Sequence, residues 1–251
     1  MSQLKTESRA IAVPGEVLAK GMDYLPSYGT YRFGEDIIAK VLGLVTVDGK
    51  VIKITPLSGR YLPKRGDTVI GQVTEILASG WRVELNSAYS AMLSMRDATS
   101  EFIDRGADLS RFFNIGDYII TKIVNVTSQK LVDLTMRGPG LRKLHGGRFF
   151  FVNTNKVPRI IGKHGSMVSM IKQATDCRIL VGQNGVVWLS GENPSMELLA
   201  QETIKMIERD AHLSGLTDSV KSSLEEKTGR TIEIRSEKEE TEHTTEHSEA
   251  E

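Results

Sequence analysis

Residues 160–171 read IIGKHGSMVSMI, and the four at their centre, Gly162-Lys163-His164-Gly165, sit between two apolar helical patterns. Two glycines at this spacing remove the Cβ atoms that would hold a polynucleotide backbone away. Lys163 and His164 between them face phosphates, and the amides that open the following helix point at anionic oxygens. Working outward, the pattern predicts a strand over 148–152, a short helix from Val157 and Pro158, and a helix over 166–174. Strands over 177–181 and 186–190 and a helix over 194–211 complete a β-α-α-β-β-α order.

That order around a Gly-x-x-Gly loop resembles a type I KH domain. The resemblance implies RNA binding, with Arg159, Gly162, Lys163, His164, Gly165, Ser166 and Lys172 as candidate contacts and a groove near Ile160, Ile161, Ile171, Ile179 and Val181. Charge agrees with it: residues 141–191 hold eight Lys or Arg against one acid, Asp176. Such a local basic surface is an electrostatic footprint for phosphates. An idle solvated face would explain the charge but not the glycines.

The chain has 251 residues and the composition of soluble globular protein, so two or three small domains are expected. Its formal neutrality hides a gradient. Residues 237–251 hold seven Glu and one Lys, and the remainder holds 31 basic against 25 acidic residues. Lacking large apolar residues after Ile234, the segment 236–251 is expected to be a disordered acidic tail, serving either solvation or competition with RNA. Cys177 is the only cysteine, which excludes an internal disulfide and a zinc ribbon and fits a reducing, cytoplasmic setting. No apolar run approaches membrane-spanning length and the first residues show no signal-peptide core, so no membrane association is expected.

Residues 1–63 read as a small β domain, with a turn at Val13-Pro14-Gly15-Glu16, strands over 37–47 and 50–54, and a hairpin signal at Asp48-Gly49. Tyr24, Tyr28, Tyr31 and Phe33 cluster there; they either dock a partner or staple a domain that has few helices. Residues 64–137 show five strands, over 68–76, 80–85, 90–93, 118–125 and 131–136, with a long connection over 97–113. Five short strands with one such insertion suggest an OB-type barrel. The run Gly-Asp-x-Val-x-Gly-x-Val from Gly66, with Gly-Asp-Tyr from Gly116 and Asp-Leu-Thr-Met-Arg from Asp133, resembles the ribosomal S-one type of RNA-binding domain. Where that family places stacking aromatics and a histidine, this sequence has Ser79, Arg82 and Ser94. Arg82 is therefore a candidate for phosphates or a partner, and Arg96, Arg105, Arg111, Lys122 and Arg137 are looser RNA-binding candidates. Trp81 alternates to the opposite face, toward a barrel core or a domain interface.

Gly138-Pro139-Gly140 leads into the KH-like part, residues 138–215, and is too short for a free linker, so the two parts are expected to pack together. Residues 216–235 read as a helical extension. A small β domain, an S-one type barrel and a KH domain in this order resemble the RNA-binding cap subunit of the archaeal-type RNA exosome. Val13-Pro14-Gly15-Glu16 looks like that family's Pro-Gly signature, and Gly182-Gln183-Asn184-Gly185 resembles its GxNG element. Physically, Asn184-Gly185 supplies a positive-φ hairpin turn. The resemblance implies three copies seated on a hexameric ring of phosphorolytic ribonuclease subunits, binding single-stranded RNA and passing it to a central channel.

No zinc-ligand spacing, phosphate-binding loop or nucleophile elbow is present, and Asp97, Glu101 and Asp104 read as a hydrophilic surface. No catalytic residue, cofactor or metal is expected. The alternative to a cap subunit is an independent S-one/KH adaptor in translation or RNA metabolism, which leaves the N-terminal β domain and residues 182–185 unexplained.

Overall fold

A computed structural model describes residues 3–57, 59–99, 101, 103, 104, 106–211, 213 and 215–231. Its contacts separate two compact units, residues 1–59 and 60–251.

The first unit is all β. Its strands are β1 (Gln3–Leu4), β2 (Ile11–Ala12), β3 (Val17–Lys20), β4 (Leu25–Pro26), β5 (Thr30–Phe33), β6 (Asp36–Ala39), β7 (Gly43–Asp48) and β8 (Val51–Pro56). They form two four-stranded sheets, β1-β3-β6-β5 and β2-β7-β8-β4. The apolar stretch 37–47, expected as one strand, is divided between β6 and β7. The chain leaves one sheet after Ala39 and enters the other at Gly43, so both halves line one core with Leu18, Ile37, Val45, Ile52 and Ile54. The β7–β8 hairpin turns at Gly49, as Asp48-Gly49 predicts. In the Val13-Pro14-Gly15-Glu16 turn, the Glu16 amide donates to the Val13 carbonyl and the Val13 amide to the Glu16 carboxylate.

The second unit begins with a barrel of β9 (Thr68–Leu77), β10 (Gly80–Glu84), β11 (Ala91–Ser94), β12 (Tyr118–Val126) and β13 (Val132–Thr135). The order β13-β11-β10-β9-β12 closes because β12 also pairs with β13. The long connection after β11 carries α1 (Met95–Ala98) and a single helical turn at Leu109–Arg111. Trp81 lies in the barrel core, fully buried, its indole N–H donating to the Phe113 carbonyl at 3.0 Å and its ring meeting the Phe113 ring edge-on. After residue 137 the chain adds β14 (Arg142–Leu144) to the edge of β12.

There follow β15 (Arg148–Phe151), α2 (Val157–Ile161), α3 (Ser166–Thr175), β16 (Arg178–Val181), β17 (Val186–Ser190) and α4 (Pro194–Arg209). The antiparallel sheet order β15-β17-β16 is that of a type I KH domain, and α5 (Leu216–Thr228) packs Leu216, Val220 and Leu224 into the same core. The result is the expected multidomain α+β architecture; the expected acidic tail, 236–251, lies outside the described residues. Strand alternation turns Val187 and Leu189 toward the helices, and Val186 and Trp188 toward Ile70, Ile120 and Leu144 of the barrel side. β17 is therefore buried on both faces.

Candidate nucleic-acid interface

The Gly-x-x-Gly loop is the junction of α2 and α3. Gly162 ends α2 by donating its amide to the Pro158 carbonyl, with φ +79°. A Cβ there would lie 2.7 Å from the Met167 amide nitrogen, so only glycine lets the loop fold back onto the next helix. Lys163 and His164 project into solvent, His164 with φ +54°, while Gly165 is buried. α3 starts without a side-chain cap; the Ser166 amide is donated to the Lys163 carbonyl, and Met167 and Val168 are buried, so the exposed groups here are the two side chains. Ser166 is half-buried at that start, and Lys172 is half-buried two turns on. Arg159, exposed on α2, donates to the Leu213 carbonyl at 3.2 Å. Gly162 to Ser166 thus gather at the start of α3, whereas Lys172 lies in its last turn.

The apolar groove differs from the sequence expectation. Ile160, Ile171 and Ile179 are core residues, at most 2 % exposed, because their helix and strand faces point between the sheet and the helices. Of the five, only Ile161 and Val181 keep part of their surface exposed.

On the barrel the cations fall into two groups. Arg82 lies across from Glu75 on β9 and pairs with it at 2.7 Å; the row continues through Met92 to Asp133, so it carries no excess positive charge. Ser94, read as standing where a histidine is usual, accepts the Asp97 amide and donates to its carboxylate, capping α1. Beyond that cap, Arg96 is exposed, and Arg137 donates to the Thr99 carbonyl at 3.2 Å, which brings both arginines to the end where β11 and β13 finish. Lys122 is exposed across from Thr135 on the same side. Arg111, exposed at the helical turn, pairs loosely with Asp108 at 3.8 Å. Arg105 lies outside the described residues.

Comparison with known proteins covers all three parts. Residues 9–58 match the "Exosome RNA binding protein RRP4 N-terminal domain", residues 60–104 the "RRP4, S1 domain" and residues 147–195 a "KH domain". The exosome complex component Rrp4 of Pyrococcus furiosus is 42 % identical over 227 residues, covering 89 % of this chain and 86 % of that one. That of Methanothermus fervidus is 44 % identical over 219 residues, covering 87 % and 96 %. The chain belongs to the Rrp4 family of exosome components. A crystal structure described as a putative exosome complex RNA-binding protein superposes on this Rrp4-family chain with a TM-score of 0.61 at 34 % identity, covering 67 % of this chain and 97 % of that one.

Within this Rrp4-type chain the GxNG element has a role that sequence reading missed. Gly185 has the positive φ expected of the turn, whereas Asn184 does not and is fully buried. Its side-chain amide donates to the carbonyls of Ile70 (2.7 Å) and Leu85 (2.9 Å), and its oxygen accepts the Ile70 amide (3.3 Å). Asn86 and the Gln183 amide add bonds to the Asn184 and Thr68 carbonyls. The turn is thereby fastened to β9 and to the residues that follow β10 in the barrel. Tyr118 stacks on Phe149 at 3.8 Å, and Lys143 pairs with Asp117 at 2.5 Å, closing the same junction. The signal that could have shown this is the small residue on each side of the Gln183-Asn184 pair, which lets one backbone approach another.

Proposed function

We infer that this chain is a non-catalytic RNA-binding subunit of the exosome, and we propose that three copies cap a hexameric ring of phosphorolytic ribonuclease subunits and pass single-stranded RNA to its central channel. The observation that carries this reading is the match of the Rrp4 N-terminal domain, the barrel and the KH domain in one chain, in that order. An independent adaptor needs only the two RNA modules and leaves residues 9–58 without a purpose.

In this reading RNA meets the Gly162–Gly165 loop, with Lys163 supplying charge and the two glycines letting the RNA backbone approach. Arg96, Arg137 and Lys122 form the barrel contact, and Arg82, neutralised by Glu75, contributes less. The first unit supplies the docking surface. Tyr24 packs on its core, but Tyr28, Tyr31 and Phe33 are 52 %, 43 % and 72 % exposed, and Met22 and Leu25 are exposed with them. Large apolar side chains of this number on so small a unit mark a surface for a protein partner.

The test is native mass measurement of the chain mixed with the ring subunits. A three-to-six complex that is lost when Tyr31 and Phe33 are replaced by Asp is expected. Failure of the parent chain to associate would instead favour the adaptor.

A further inference from the structure

We propose that RNA running between the KH surface and the barrel crosses at the turn Lys64–Asp67, where Lys64 and Arg65 join Lys122 in neutralising its phosphates. The proposal deepens the reading of the chain as an RNA-binding subunit and rests on it. Three observations support it.

The first is how the crossing is built. Residues directly across a ladder share a face. Lys122 lies across from Thr135 on β13 and from Thr68 on β9, and it is exposed, so it points outward between those two strands. The turn that precedes β9 runs along the same strand: the Gly66 amide donates to the Ile123 carbonyl at 2.8 Å, and the Ile123 amide donates to the Asp67 carbonyl at 2.9 Å. The next carbonyl, that of Thr68, turns the other way and accepts the Gln183 amide of the KH part at 2.9 Å. β12, the start of β9 and the turn 182–185 are thus neighbours, and at the usual strand spacing Gln183 stands about 10 Å from Lys122. Gln183 itself comes two residues after Val181, the partly exposed end of β16.

The second is charge. Lys64, Arg65 and Lys122 are exposed, and none of them has an ion pair among the described residues. Arg82, Lys143 and Arg148 of the same unit are each paired, with Glu75, Asp117 and Glu197. The acid of the turn, Asp67, is occupied, since its carboxylate accepts the Tyr61 hydroxyl at 2.6 Å. Three cations beside one engaged acid make a positive local potential, which phosphates relieve with release of counterions.

The third is the alternative face. The cross-strand row Glu75, Arg82, Met92 and Asp133 sets two acids against one arginine, so it steers phosphates away. The row through Thr68, Lys122 and Thr135 contains no acid and leads toward Arg137, two residues beyond Thr135.

The experiment measures binding of the full chain to a single-stranded oligouridylate of about twenty nucleotides over a salt series. Lys64→Gln with Arg65→Gln is expected to lower the salt slope by about two units and the affinity at roughly 50 mM salt at least tenfold. Lys64→Arg with Arg65→Lys keeps both charges and should keep the parent slope, which separates charge from any effect on the turn. Lys50→Gln with Lys53→Gln removes the same charge from β8 and the turn before it, and is expected to leave the slope unchanged. A parent-like slope for the Lys64/Arg65 glutamine variant, or an equal fall for the Lys50/Lys53 variant, would overturn the proposal. The RNA reading would still stand if replacing Lys163 and His164 by Asp weakened binding. If the parent chain bound no oligouridylate, both would fall.

Discussion

Asn184 shows how much one side chain contributes when it is fully buried between two parts of a fold. Its amide satisfies both polar groups of Ile70 and the carbonyl of Leu85, so Asn184→Ala leaves buried backbone groups short of a partner. Each such group costs about 1–3 kcal/mol, and a loss of about 2 kcal/mol or more is expected in urea unfolding. Asn184→Asp is expected to be no better, since a carboxylate keeps the acceptor but cannot donate to the two carbonyls. At the RNA loop the side chains are exposed and the argument is one of charge. Replacing Lys163 and His164 together by Asp removes a cation and places two anions beside the α3 amides. RNA affinity is expected to fall at least tenfold at low salt while the melting temperature stays within about 2 °C, because neither side chain is packed. Unchanged binding isotherms across a salt series would remove the loop from the interface.

Among the elements, α4 shows how the start of a helix ties the sheet to the layer above it. Asn193 caps it, and Glu197 in its first turn accepts the Gly191 amide at 2.9 Å and pairs with Arg148 on β15 at 2.9 Å. The Gly191 hydrogen bond first, and Arg148 second, hold the Glu197 carboxyl below its ordinary value. A carboxyl with a depressed folded-state pKa adds stability above its unfolded pKa and loses it as pH falls through the folded value. Glu197→Gln is therefore expected to flatten the loss of stability below about pH 4.5, where the unfolded glutamate begins to take up protons. Denaturant midpoints measured from pH 6 down to about pH 3 test this; parallel curves for both proteins would contradict it. Elements of this kind were legible in the sequence because their signals are local. The barrel strands and the helices after Gly165 follow from two-residue and helical periods bounded by glycine. What was not legible depends on tertiary contacts, as in the division of 37–47 between two sheets and the burial of Ile160, Ile171 and Ile179, or on the register of a hairpin, as in the pairing of Arg82 with Glu75. Alternation gave the side of the barrel on which Arg82 lies, but not the acid beside it.

Across the second unit, the barrel and the KH sheet share a buried junction, so an RNA that touches both meets two surfaces held in fixed relation. Binding at the second surface then occurs at an effective concentration set by that geometry instead of by a linker. Arg96→Ala with Arg137→Ala should lower the salt slope by about one unit for each phosphate that is no longer neutralised, for RNAs long enough to span both surfaces. RNAs too short to leave the Gly162–Gly165 loop should bind that double variant as they bind the parent. Asn184→Ala should act differently, since it touches no phosphate site and loosens the relation between the two surfaces. The affinity of short RNAs is expected to stay within about twofold, whereas the gain from lengthening the RNA shrinks severalfold. Fluorescence anisotropy over a ladder of single-stranded lengths separates the two effects. A length gain that survives Asn184→Ala intact would mean that RNA uses the KH surface or the barrel rim, but not both at once.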